Sequence, residues 1–145
     1  MADRSVSVGE LQRHWSERFL AVAYEQGAQG PGAYDCWSHF RWVQREQFGR
    51  DVAFVPSPRS RGTTARILPV LATEFGWKEI DTPASGDGVL LSYWKMPTHV
   101  GVYVGDAREP SVLHCPEGGA ALHSLFHLRA AGWRLRGFYR YLGAA

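Results

Sequence analysis

A chain of 145 residues that is 45% hydrophobic and 21% charged has the composition of one globular domain, which excludes a disordered or fibrous protein. The formal net charge is only +2, and Arg129, Arg134, Arg136 and Arg140 are spread out rather than clustered, so nucleic acid is not an expected partner. No window is apolar for long enough to span a membrane, and "MADRSVSVGELQ" lacks the basic and then apolar pattern of a signal peptide, so synthesis in the cytoplasm is expected.

Residues 1–145 are taken as a single domain. From about Val8 to Gln26, Leu11, Trp15, Phe19 and Val22 recur at steps of three and four, which predicts an amphipathic helix ended by Gly27. "GAQGPGA" then reads as a loop. Asp35 stands where an N-cap would, and Trp37, Phe40, Val43 and Phe48 carry helical spacing as far as Gly49. Residues 50–63, rich in Pro, Ser and Arg, read as a long irregular connection of the kind that rims a site. A third helical segment is expected over about Thr64–Phe75, with Pro69 kinking it or marking its start.

Beyond Gly76 the period changes. "WKEI", "GVLLSYW", "HVGVYV", "SVLHC", "ALHSL" and "WRLRGFYRYL" are short β-rich runs separated by Gly, Pro and Asp, with Asp87 read as a turn residue. Helices first and strands second make an α+β fold, in which N-terminal helices pack on a C-terminal antiparallel sheet of about five or six strands. Most of the six tryptophans are expected to be core or half-buried filler.

The two cysteines pose the chemical question. A core of this size does not require a disulfide. Cys36 sits in the first turn of the second helix, where unpaired N–H groups and the positive end of the macrodipole favour an anion; a thiol there is expected to be acidified into a nucleophile. The same N–H groups can hold a developing oxyanion. In "THVGVYVG", Val100, Val102 and Val104 alternate onto one face and leave His99, Gly101 and Tyr103 on the other, which suggests a surface that something approaches. If "GDAR" makes a four-residue hairpin loop, Val104 pairs with Glu109 and His99 lies directly across from His114, although Pro110 favours a looser connection. The spacing therefore points to Cys36 as nucleophile, His99 as base and His114 as the group that orients His99.

His14, His39, His123 and His127 are read as bystanders, His39 because it lies along the helix axis from Cys36 rather than across a cleft. Cys36, His99, His114 and Cys115 have the ligand types of a zinc site but no CxxC or HxxxH spacing, so neither metal nor cofactor is expected. Cys115 reads as packing.

"YDCW" before a helix ending in "FG", then "GDGVLL", "HVGVYVG" and a His in "VLHC", resembles the NlpC/p60 cysteine peptidases over Tyr34 to Leu142. The resemblance implies a papain-like fold, the triad Cys36, His99 and His114, and hydrolysis of amide bonds in peptidoglycan stem peptides. It also implies substrate or oxyanion contacts from Tyr34, Asp35 and Trp37. Where many members carry "DCSG", this chain has "DCWSHF": Trp37 stands at a Ser that helps hold the amino end of a stem peptide, and Ser38 at a Gly. A "DCW" start without an export signal is similar to peptidase-like domains of phage tail proteins, which implies a virion association and tail proteins as partners. Two other readings stand beside hydrolysis. One is acyl transfer in an apolar cleft lined by Trp37, Trp42 or Trp94. The other is a tail or envelope structural module with little turnover.

Overall fold

The computed structural model describes residues 14–52, 76–93 and 96–143. The expected third helix, most of the 50–63 connection and Trp94 lie outside them.

Residues 8–13 of the expected first helix lie outside the described residues, and the remainder is not one continuous helix. Trp15–Phe19 forms one 3-10 turn, the chain bends at Ala21 with φ +62°, and Ala23–Tyr24 is extended as β1. Strand β1 pairs in parallel with β2, Ala33–Tyr34. The cause is non-local: Ala23 N–H donates to the Gly32 carbonyl (3.1 Å), Glu25 N–H to Tyr34 (3.0 Å), and the Val22 carbonyl accepts from Ala120 (3.0 Å). These bonds override a local helical preference. Gly27 is left-handed (φ +83°), but in the turn after β1 rather than as a helix cap.

Helix α1, Cys36–Phe48, forms as expected. The Asp35 carboxylate accepts from Ser38 N–H (2.8 Å), while Ser38 Oγ accepts from Asp35 N–H (3.1 Å), a reciprocal capping box. The Ser38 hydroxyl also donates to the Ala28 carbonyl (2.6 Å), fastening the preceding loop to the helix mouth. Gly49, at φ +67°, closes the far end.

Six antiparallel strands follow: β3 (Trp77–Ile80), β4 (Gly88–Tyr93), β5 (Met96–Val104), β6 (Ser111–His114), β7 (Ala121–Ser124) and β8 (Arg134–Tyr141). Their order in the sheet is β3-β8-β4-β5-β6-β7. Asp87 does occupy a turn, with Ala84 N–H donating to its carboxylate (2.7 Å). The same buried carboxylate also takes two hydrogen bonds from Arg140, at 2.8 and 3.1 Å, and so ties the start of β4 to β8.

One face of the sheet carries Val100, Val102 and Val104 against Trp37, Phe40 and Val43 of α1. The other face was expected to be open. It is covered instead by a six-residue helix, α2 (Leu125–Ala130), capped by Ser124, and by the chain that follows it. Val89, Leu91, Tyr103, Val112 and Leu128 form a second core there, with Trp133 and Phe138 packed on it. His99, Gly101 and Tyr103 are thus buried on an interior face.

The β5–β6 register also differs from the expected one. Val104 pairs with Ser111 and Gly101 with His114, so the connection is the six residues Gly105–Pro110 and His114 lies opposite Gly101 rather than His99. A shift of two residues preserves side-chain parity, so both imidazoles stay on one face as diagonal neighbours.

Candidate active site

His99 and His114 meet: His99 Nε2 lies 2.8 Å from His114 Nδ1, with ring planes 73° apart. Gly101 makes this possible. A Cβ at that position would stand 2.5 Å from Val112 Cγ1 and 2.9 Å from His114 Cβ, so only hydrogen there lets the His114 side chain lie across the strand toward His99. Trp133 covers both rings, with centroids 4.9 Å from His99 and 6.0 Å from His114. His99 Nδ1 is buried and has no hydrogen-bond partner among the described residues, which leaves one basic nitrogen uncommitted.

Cys36 packs against the core cluster that holds Val100 of this strand, and the Val100 N–H acts to lower its thiol pKa. Strand β6 pairs with β5 only as far as Gly101. The N-terminus of α1 thus packs against the cluster that includes Val100, the residue next to His99, where pairing with β6 has ended. An α-helix cannot satisfy the first N–H groups of α1 from within, so those of Cys36 and Trp37 are available at the mouth.

The electrostatics reverse the sequence-based expectation of an acidic thiol. Burial pushes the Cys36 thiol up to about 12 from its ordinary 9.0; the Asp35 charge adds to this, and the Val100 and Cys36 N–H groups only partly oppose it. Burial likewise pulls His99 down to about 3, aided by His39, and lowers His114 well below its usual value. Desolvation thus outweighs the helix terminus. The resting couple is a neutral thiol and a neutral imidazole.

The remaining expected contacts have other surroundings. The Asp35 carboxylate caps α1, and the Trp37 ring stacks on Phe40 in the core at 5.5 Å. Trp37 therefore brings its backbone N–H, rather than its indole, to the helix mouth. Tyr34 is buried and stacks on Trp42 at 4.7 Å. His39 donates from Nε2 to the Phe19 carbonyl (2.9 Å), a structural bond. Cys115 is a free, buried thiol facing the Tyr34 carbonyl at 3.6 Å.

Sequence reasoning missed two residues. Tyr24, read as the tail of a helix, has its phenol raised to about 12 by burial first and then by coupling to the ionised forms of Cys36 and Asp35, which places it within the field of the nucleophile. His123, read as a bystander, sits with Nδ1 3.0 Å from His114 Nε2. The alternation of "ALHSL" could have shown that His123 shares a face with Ala121 rather than Leu122, but not that His114 would reach it.

The sequence model of the NlpC/P60 family matches residues 21–127. A search of curated proteins finds no match. Among solved structures, the NlpC/p60 domain of the peptidoglycan hydrolase SagA is similar with a TM-score of 0.57 and 15% identity, over 86% of this chain and 92% of that one. NlpC1 from Trichomonas vaginalis is similar with a TM-score of 0.61 and 19% identity, over 87% of this chain and 41% of that one. At these identities the structures establish a shared fold, the papain-like α+β fold expected from the motifs. With more than half its length matched by the family model, this chain belongs to the NlpC/P60 family.

Proposed function

We propose that the protein is a thiol hydrolase that cleaves amide bonds in bacterial cell-wall peptides, with Cys36 as nucleophile, His99 as base and His114 as the residue that orients His99. The observation that carries this reading is the uncommitted, buried Nδ1 of His99, on the residue next to Val100, against whose core cluster Cys36 packs. SagA, a peptidoglycan hydrolase of the same fold, supports the substrate class.

The chemistry follows from the neutral couple. As Sγ bonds to the scissile carbonyl carbon, the thiol proton passes to His99 Nδ1, so no free thiolate has to be sustained. The oxygen charge that develops faces the Cys36 and Trp37 N–H groups at the positive end of α1. Collapse expels the amine, which takes the proton from Nδ1 and leaves a thioester on Cys36. Water then attacks the thioester with Nδ1 as base, the acid departs and the thiol re-forms.

The test is the release of new amino groups from purified peptidoglycan stem peptides by the wild-type chain and by Cys36→Ala. Release by the wild type alone is expected. Equal release by both chains would refute the nucleophile, and an amine acceptor consumed in place of water would point to acyl transfer.

A further inference from the structure

Four histidines run in series from the interior to the surface. His99 Nε2 to His114 Nδ1 is 2.8 Å, His114 Nε2 to His123 Nδ1 is 3.0 Å, and the His123 ring stacks on His127 at 4.7 Å with planes 21° apart. His99 and His114 are fully buried, His123 is half-buried and His127 is exposed. His123 and His127 border a cavity of about 340 Å³, together with Arg108, Glu109 and Ser124.

We propose that His123 is the charge terminus of a proton relay, so that the proton taken from Cys36 appears as positive charge on His123 rather than on His99. This rests on the thiol-hydrolase reading above. If His99 Nδ1 is to accept a proton, its Nε2 carries the hydrogen and donates to His114 Nδ1; His114 Nε2–H in turn donates to His123 Nδ1. The chain then has one polarity, with every N–H pointing away from the sulfur.

Adding a proton at the inner end reverses it. The S–H bond breaks as an N–H bond forms at His99 Nδ1. The His99 Nε2 proton moves to His114 Nδ1, and the His114 Nε2 proton moves to His123 Nδ1. His123, already protonated at Nε2, becomes the imidazolium, while one negative charge passes from sulfur to the carbonyl oxygen. No atom is gained or lost. The reverse hops return a proton to His99 Nδ1 for the leaving amine.

The environment favours charge at the outer end. Burial is what depresses His99 and His114 most, and it is least severe at His123, beside the cavity. His114 on β6 and His127 on α2 contact the His123 ring, and Arg108 and Glu109 of the β5–β6 connection border the same cavity. Of these, only Glu109 carries a charge that attracts an imidazolium. A protonated His127 or Arg108 opposes it.

The test uses iodoacetamide alkylation of Cys36 in the full chain across a pH series, in wild type, His123→Gln, His123→Phe and His99→Ala, with melting curves confirming that each variant folds. In wild type, general-base transfer of the thiol proton to His99 should give a pH-independent rate plateau across neutral pH, below the rise toward the Cys36 value of about 12. Gln can still accept from His114 but cannot hold a proton. Both His123 variants should therefore lower the plateau by about tenfold, the effect of one pKa unit of lost basicity. A His123→Gln plateau within about threefold of wild type, together with loss in His99→Ala, would overturn the relay and leave the hydrolase reading standing. A plateau absent from wild type, or unchanged in His99→Ala, would overturn both.

Discussion

His114 faces Gly101 across the β5–β6 ladder, and the absence of a side chain at Gly101 is what lets its ring reach back two residues to His99. Gly101→Ala should therefore injure the site before it injures the fold. Overpacking of this kind costs about 1–3 kcal/mol, measurable by urea unfolding. Hydrolytic activity should fall further than that loss of stability explains, because the displaced His114 releases His99. Wild-type activity in Gly101→Ala would show that the imidazole contact is dispensable.

The cap of α1 sets where Cys36 stands. Asp35→Ala removes the acceptor for Ser38 N–H and should destabilise the protein by about 1–2 kcal/mol; Asp35→Asn should retain most of that stability, since its amide oxygen still caps. Asn also removes the negative charge that helps raise the Cys36 thiol, so alkylation at alkaline pH should be faster than in wild type. A slower Asn variant would assign Asp35 the opposite electrostatic role.

Stability should fall on both sides of neutrality. His99 and His114 titrate lower in the folded chain than their usual 6.5, so as pH drops through 6.5 the unfolded chain binds protons that the folded chain refuses. Stability is full above 6.5 and is lost toward the folded value of about 3 for His99, by up to about 1.4 kcal/mol per pH unit for each imidazole. On the alkaline side, the unfolded thiol loses its proton near 9.0 while Cys36 holds its own to about 12, so stability falls as pH rises between them. Urea midpoints across pH check both limbs. Replacing His99 with Phe should flatten the acid limb, and a slope unchanged by that replacement would mean the loss arises elsewhere.

Tyr24 remains protonated throughout the working range and donates to Gln26 Oε1 at 2.8 Å, within the field of Cys36. Its hydroxyl is a protonated donor coupled electrostatically to Cys36. Tyr24→Phe should lower kcat by about tenfold or more while changing KM little, as expected when a donor acts mainly in the transition state. A change confined to KM would make Tyr24 a substrate contact only.

The parts of this architecture that depend on neighbours in sequence were legible. Asp35 and Gly49 mark both ends of α1 because capping is local, and the alternation of Val100, Val102 and Val104 shows which face meets the helix. His99 and His114 could be paired despite a register two residues off, since an even shift keeps parity. The first helix misled because Gly32, Tyr34 and Ala120, distant in sequence, supply the backbone partners of residues 22–25. Helix α2 has six residues, too few for periodicity to show, and without it the face holding His99 looked open. The neutral thiol was not legible at all, because desolvation depends on what packs over Cys36 rather than on its place in the helix.

The most direct measurement of the central claim is intact-mass analysis of the chain quenched during turnover of a stem peptide. The expected result is an acyl adduct on the tryptic peptide containing Cys36, removed by hydroxylamine and absent from Cys36→Ala. Accumulation should be slower in His99→Ala. Product formed at the wild-type rate by Cys36→Ala, with no adduct at any time point, would contradict it.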